Sequence, residues 1–123
     1  METTKRFDNA ALKLYNAFNE GRLNSMDCGS CAVGNIVGHG NWLMNRYSSP
    51  GVKLSIYYSP PIYKDYSEEE LFEVERLFLV NTRPDETKET QYNGLIAVLE
   101  YLASLDNIEL PKIIIDKFER VLA

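Results

Sequence analysis

The spacing of apolar side chains constrains the fold of this chain more than any other feature. Between residues 89 and 105 they recur every three or four positions, which places them on one face of an α-helix. The stripe comprises Tyr92, Leu95, Ile96, Leu99, Leu102 and Ala103. The same period predicts a helix over residues 68–81, and Ser67 and Glu70 at its start have the Ser-x-x-Glu form of a capping box. These two long periodic segments indicate a helical protein.

Both ends of the chain show the same helical period. Ahead of Gly21, which is placed to end a helix, apolar residues follow at steps of four, three and four. They are Phe7, Ala11, Leu14 and Phe18. Near the other end, Pro111 suits the first turn of a last helix. Its expected buried face comprises Ile114, Ile115, Phe118, Val121 and Leu122.

Weaker signals predict two short helices between these long ones. One runs over residues 28–37 with Asp27 as its N-cap, and the other over residues 41–47, which carry Trp42. The chain has 123 residues, without an internal repeat or a linker, and that length suits one domain. We therefore expect a mainly α protein, a small bundle of about five helices, in a single domain over residues 1–123.

Residues 48–66 interrupt the helical pattern. Pro60 and Pro61 disrupt any strand ladder there, although alternation over residues 53–57 allows a short strand or hairpin. Tyrosines are costly to leave exposed, so we expect an ordered but irregular excursion. Its tyrosines either cover the core or line a ligand pocket or partner surface. They are Tyr57, Tyr58, Tyr63 and Tyr66.

Composition excludes several classes of function. The 13 basic and 18 acidic residues give a net charge of −5, which argues against a nucleic-acid binder. We find no secretory signal and no apolar run long enough to cross a bilayer, so a cytoplasmic location with reduced thiols is expected. The phosphate loop, the dinucleotide glycine pattern and the Gly-x-Ser-x-Gly motif are also missing, and we expect no cofactor.

The most unusual stretch contains a Cys-x-x-Cys pair, Cys28 and Cys31. In the first turn of a helix, cysteines three residues apart lie on the same side, where the helix dipole favours the thiolate. The functional interpretations are a dithiol redox pair, half of a metal site or a reactive single thiol. The redox interpretation lacks its usual context, because a helix rather than a strand precedes the pair. Burial as small core residues is the structural alternative, which we favour.

A metal site needs more ligands than this pair provides. His39 is the candidate third ligand, but it lies eight residues beyond Cys31, or about 12 Å along a helix axis. It can coordinate the same ion only if the chain folds back between Gly38 and Gly40. A dimer that pools two cysteine pairs is another route to a metal. We therefore expect no metal, with Cys28, Cys31 and His39 as the alternative ligand set.

The sequence does not predict a set of catalytic residues. His39 has no evident nucleophile or carboxylate partner, so a surface loop histidine is the simpler interpretation. Candidate surface or ligand contacts are instead polar and aromatic residues near the cysteine pair, in the tyrosine-rich excursion and at the start of the helix over residues 89–105. They are Asn35, His39, Trp42, Tyr57, Tyr58, Tyr63, Gln91 and Asn93.

Three motifs resemble those of a known family. They are Cys-x-x-Cys-Ala-Val-Gly-Asn ending at Asn35, Tyr-Ser-x-Glu-Glu-Leu ending at Leu71, and Gln-Tyr-Asn-Gly-Leu starting at Gln91. In this order they resemble a family of small proteins from Bacteroidetes and their phages. Members often carry the name of the iron–sulfur and flavin component of the sodium-translocating NADH-quinone reductase. That activity needs four cluster-binding cysteines and a dinucleotide fingerprint, whereas this chain has two cysteines and no such fingerprint.

The resemblance implies that the cysteine helix and the Gln-Tyr-Asn-Gly helix belong to one architecture. Gln91, Tyr92 and Asn93 either cap their own helix or hydrogen-bond to the cysteine motif. From all this we expect a non-enzymatic binding or interaction module, whose partner is another protein or a second copy of the chain rather than a nucleic acid or a membrane. The expected surface is residues 28–35 with the tyrosines nearby. The alternative is a thiol redox or metal-binding protein that uses Cys28 and Cys31.

Overall fold

The computed structural model describes residues 3–24, 31–37, 65–83 and 85–123, and within these ranges the chain forms five packed helices and no strand. The helices are α1 (Lys5–Asn19), α2 (Ala32–Val37), α3 (Glu68–Thr82), α4 (Lys88–Leu105) and α5 (Lys112–Glu119), and a 3₁₀ turn (Arg120–Leu122) follows. The prediction of a mainly α bundle of about five helices is confirmed. The short helix predicted over residues 41–47 and most of the irregular excursion lie outside the described residues.

Local sequence explains where these helices begin. Thr4 accepts a hydrogen bond from the Phe7 N–H at the start of α1. Ser67 and Glu70 form the expected capping box at the start of α3, with both reciprocal hydrogen bonds present. Thr87 and Thr90 form an equivalent box at the start of α4, which was not expected from the sequence. Each box satisfies N–H groups that otherwise lack an intrahelical partner.

Two helices end at residues in the left-handed region. Gly21, with φ of 72°, follows α1, where glycine has no Cβ to clash. Asn107, with φ of 56°, follows α4, and asparagine tolerates this conformation better than most residues. The end of α1 at Gly21 agrees with the sequence prediction.

The helix pair α3–α4 forms the most extensive contact of the bundle, and the two helices run antiparallel. Gly94 of α4 lies against Phe78 of α3. Tyr101 lies two turns further along α4, and its pKa is raised first by burial and then by the carboxylates of Glu70 and Glu73. Both glutamates precede Phe78 in α3, so the two helices run in opposite directions. A Cβ at Gly94 would stand 3.0 Å from the Phe78 ring, so only glycine fits this approach without adjustment.

The core lies between α1, α2 and the α3–α4 pair, and α5 closes one side. Its largest fully buried side chains are Phe7, Leu14, Phe18, Val33, Leu71, Val74, Phe78, Leu95, Leu99, Leu102 and Phe118. The expected buried face of α5 is only partly correct, since Phe118 is fully buried and Leu122 is exposed. The last helical turn tightens to 3₁₀ geometry at Arg120, which changes the direction of the side chains after it.

Candidate functional site

Cys31 caps α2 instead of lying within its first turn. The Cys31 Sγ accepts a hydrogen bond from the Gly34 N–H at 3.4 Å, and the Cys31 carbonyl accepts one from the Asn35 N–H at 3.0 Å. The prediction that Cys31 lies in the first turn of a helix that starts at residue 28 is therefore wrong. Cys31 precedes the helix, and its sulfur takes the place of the oxygen that usually caps a helix. Only 3% of Cys31 is exposed, as expected for a cysteine that packs as a small core residue.

Asn35 connects α2 to the segment that follows α1. Its side-chain amide donates to the Cys31 carbonyl at 2.9 Å, and its side-chain oxygen accepts from the Arg22 guanidinium at 3.3 Å. At the other end of α2, the Lys13 ammonium of α1 donates to the Ile36 carbonyl at 3.0 Å. A short helix is marginal by itself, so these bonds to α1 and its flank contribute to its position.

Gln91 lies on the same side of the molecule. Its side-chain amide donates to the Leu23 carbonyl at 3.2 Å and to the Glu86 carboxylate at 2.8 Å. Leu23 is the neighbour of Arg22, which contacts Asn35, so a chain of contacts joins the start of α4 to the cysteine motif. The structure brings Gln91, Asn35 and Cys31 together in this way.

The other predicted members of the Gln-Tyr-Asn-Gly motif point elsewhere. Asn93 is exposed to solvent, whereas Tyr92 contacts Glu119 beside the last turn of the chain. Burial and, second, the charge of Glu119 raise the pKa of Tyr92. Asn93 remains a candidate surface contact, and Tyr92 is part of the contact between α4 and α5.

Six predicted site residues lie outside the described residues: Cys28, His39, Trp42, Tyr57, Tyr58 and Tyr63. The roles assigned to them, including the metal set of Cys28, Cys31 and His39, stay predictions. Within the described ranges, no three His, Cys, Asp or Glu side chains come together in a way that suits a metal ion. None of the described helices is both long enough and apolar enough to cross a membrane.

Tyr66, the last tyrosine of the excursion, is buried and covers the core. The Arg6 guanidinium lies over its ring, 4.5 Å from the centroid. Burial raises the pKa of Tyr66 to about 12, so the phenol stays neutral at ordinary pH. Among the buried side-chain oxygen and nitrogen atoms of the described residues, its hydroxyl is the one without a hydrogen bond.

Arg6 also forms an ion pair between distant parts of the chain. Its guanidinium binds the Asp106 carboxylate at the end of α4, and the Thr4 hydroxyl donates to the same carboxylate at 2.6 Å. The hydrogen bond from Arg6, outweighing the effect of burial, lowers the pKa of Asp106 below its ordinary range. This cluster joins the start of α1 to the end of α4 and has a structural role.

A surface groove between α1 and α5, which we call the α1–α5 groove, was not expected from the sequence. It measures about 240 Å³ and is lined by Asp8, Ala11, Leu12 and Tyr15 on one side and by Ile114, Lys117 and Phe118 on the other. Leu12 is 52% exposed, and Ile113, one turn before Lys117 on the same helix, is 74% exposed. Three consecutive isoleucines at residues 113–115 were the available signal, because successive helical residues differ by about 100° and cannot all face the core.

No protein-family model, curated protein or solved structure matches this chain. The resemblance to the Bacteroidetes and phage family therefore stays a prediction. Contacts, exposure and charges of the described residues are the observations that bear on function.

Proposed function

We propose that the protein is a non-enzymatic binding module. The observation that carries this proposal is exposed apolar surface at the α1–α5 groove. Leu12 of α1 lines the groove, and the strongly exposed Ile113 of α5 is the chain neighbour of the lining residue Ile114. Single exposed apolar residues are common on protein surfaces. Here two of them lie on neighbouring helices, and the partly buried Tyr15 and Ile114 line the groove with Leu12. Grouped apolar surface of this kind is typical of interaction sites.

The rigidity of the surroundings supports the same proposal. The ring of Tyr15 packs edge-on against Phe118, with 5.5 Å between the ring centroids, and Phe118 also stacks on Phe18 at 6.2 Å. The floor of the groove is therefore part of the hydrophobic core. A partner that binds there meets a preformed surface, so little conformational freedom is lost on binding.

The surface predicted from the sequence, residues 28–35 with the nearby tyrosines, remains a second location for a partner. The described contacts of Cys31, Asn35 and Gln91 give it a fixed framework. A partner on this side would contact the partly exposed Asn35 and Gln91 rather than the buried thiol of Cys31.

Site-specific photo-crosslinking in living cells tests the proposal. A photoreactive amino acid at position 113 is expected to form covalent adducts of defined mass with a bound partner. The matched control is position 80, because Val80 of α3 is also strongly exposed, at 64%, but lies on another helix. An absence of adducts at position 113, or equal yields at both positions, would contradict the proposal.

Thiol and metal measurements test the proposal against its alternative, a thiol redox or metal-binding site at Cys28 and Cys31. Protein purified without a chelator is expected to contain no stoichiometric metal, and Cys31 is expected to react slowly with a thiol reagent in native buffer because it is 3% exposed. Denatured protein, in which both thiols react, is the control. A stoichiometric metal or a fast native reaction of Cys31 would favour the alternative.

A further inference from the structure

We propose that the α1–α5 groove binds a second copy of the same chain in a two-fold symmetric dimer. This inference rests on the proposed function, since it names the partner of the same surface. It depends on the charges at the two ends of the groove in addition to the apolar residues between them.

The charges of the groove are arranged with opposite signs at its two ends. The Lys117 ammonium lies over the Tyr15 ring, 4.2 Å from its centroid. Asp8 lies two turns before Tyr15 on the same face of α1, which corresponds to about 10 Å along the helix. The acidic end of the groove is thus Asp8, the basic end is Lys117, and Leu12 lies between them along α1.

Neither charge is neutralised by an ion pair in the part of the chain that the structure describes. The ion pairs formed there include Arg6–Asp106, Arg22–Glu20, Arg76–Glu73 and Lys112–Asp116, and neither Asp8 nor Lys117 takes part in them. The Asp8 carboxylate accepts a hydrogen bond from the Thr3 hydroxyl at 2.6 Å, and Lys117 contacts the aromatic face of Tyr15. Both charged groups remain available to a partner of opposite sign.

A two-fold axis through the middle of the groove pairs these ends with each other. In an isologous contact the same patch of both copies meets with its direction reversed. Asp8 of one copy then faces Lys117 of the other, and the symmetric pair forms at the opposite end. Leu12 of each copy lies near the axis, where it loses contact with water, and the exposed Ile113 lies next to the groove-lining Ile114.

This arrangement explains why a second copy fits the groove better than an arbitrary apolar partner. The whole chain carries a net charge of −5, so two copies repel each other at long range. Along the groove, by contrast, each copy has one acidic and one basic group, and two-fold symmetry places the acidic group of one copy opposite the basic group of the other. Complementary charges at an interface set its register and suppress other pairings.

Charge reversal with mixing tests this inference on the full-length chain. Asp8→Lys alone places two lysines together at each end of the interface, and Lys117→Asp alone places two aspartates together. Each variant is expected to weaken dimerisation by about tenfold or more, because like charges at an interface are unfavourable. An equimolar mixture of the two variants restores an opposite-charge pairing across the interface, and heterodimers are expected to form in preference to either homodimer.

The measurement is sedimentation equilibrium of each variant and of the mixture, from micromolar to millimolar concentration. Glu100→Lys is the control, because it makes the same change in net charge as Asp8→Lys on the exposed side of α4. Circular dichroism and thermal melts verify that each variant is folded. The control is expected to dimerise like the wild type.

The outcomes separate this inference from the proposed function. Stronger association in the mixture than in either variant supports the two-fold dimer. Wild-type association of both single variants, or a mixture no stronger than the variants alone, overturns it. A wild-type chain that stays monomeric also overturns it. If, in addition, the photo-adduct at position 113 has a mass other than twice that of the chain, the binding proposal stands and the partner in the groove is a different protein.

Discussion

Two helix pairs of this bundle differ in how completely they cover their apolar faces. In the α3–α4 pair, the facing residues Leu71, Val74, Phe78, Leu95, Val98 and Leu102 are fully buried. In the α1–α5 pair, Phe118 is buried, but Leu12 and Ile113 project into solvent. The facing residues of the first pair are covered by the chain itself, although α3 also has the exposed Phe72 and Val80. In the second pair, Leu12 lines a groove that nothing in the described residues covers.

The two pairs have similar apolar patterns but pack differently. Gly94 allows α3 and α4 to approach so closely that a Cβ at this position would crowd the Phe78 ring. Between α1 and α5, the bulky side chains of Tyr15 and Phe118 meet edge-on, and a groove remains outside them. The close α3–α4 contact contributes to stability, and the recognition role of the α1–α5 pair is the proposal made above.

The largest expected effect is at Phe78 in the closed pair. Phe78→Ala removes a fully buried ring and is expected to lower the free energy of unfolding by about 3–5 kcal/mol. Ile113→Ala in the open pair is expected to change it by less than about 0.5 kcal/mol, because the side chain is 74% exposed. Chemical denaturation measures both. Similar losses at the two positions would show that the pairs do not differ as described.

An intermediate effect is expected at Asp106, which joins α1 to α4. Asp106→Asn weakens the charge-assisted bond to Arg6 and is expected to cost about 1–3 kcal/mol at neutral pH. The folded state depresses the pKa of Asp106 below its ordinary 3.8, so its contribution is complete above that pH and is lost as the pH falls through the folded-state pKa.

The pH dependence is therefore the test of this ion pair. The difference in unfolding free energy between the wild type and Asp106→Asn is expected to shrink below pH 3.8, measured by denaturation from pH 7 to acid. A difference that stays constant over this range would mean that the variant acts through packing and not through the charge.

Within the closed pair, a smaller effect is expected at Gly94. Gly94→Ala adds a Cβ 3.0 Å from the buried Phe78 ring, which costs about 1–3 kcal/mol, while alanine recovers about 1 kcal/mol of helix propensity. A net loss of about 1 kcal/mol follows, measurable by denaturation. Ser104→Ala, at an exposed position of the same helix, is the control and is expected to be nearly neutral. A more stable Gly94→Ala variant would show that α3 and α4 can separate at low cost.

Helical periodicity predicted most of the described fold. Phe7, Leu14 and Phe18 are buried on α1 as expected, and the Ser67–Glu70 capping box is present. These features are local, since they depend on residues within a few turns of one another. The sequence did not reveal that α2 is capped by the Cys31 sulfur, because a thiol is a weaker hydrogen-bond acceptor than the side-chain oxygens that usually cap helices.

The candidate site was harder to predict because it depends on contacts between distant segments. The link from Gln91 to Asn35 passes through Leu23 and Arg22, which no single motif contains. The α1–α5 groove brings together Leu12 and Ile114, which lie near opposite ends of the sequence. In the sequence, only the run of three isoleucines indicated that an apolar residue would stay exposed. Local patterns specify helices, but the packing of one helix on another decides which apolar residues stay exposed.

Concentration-dependent hydrogen exchange tests the different roles of the two helix pairs most directly. Full-length protein is diluted from millimolar to micromolar concentration, and amide protection is compared between the groove residues of α1 and α5 and the facing residues of α3 and α4. If the groove is the recognition surface, protection over residues 8–15 and 113–117 falls on dilution, while protection over the α3–α4 pair stays constant. Loss of protection at α3–α4 with no change at the groove would contradict these roles.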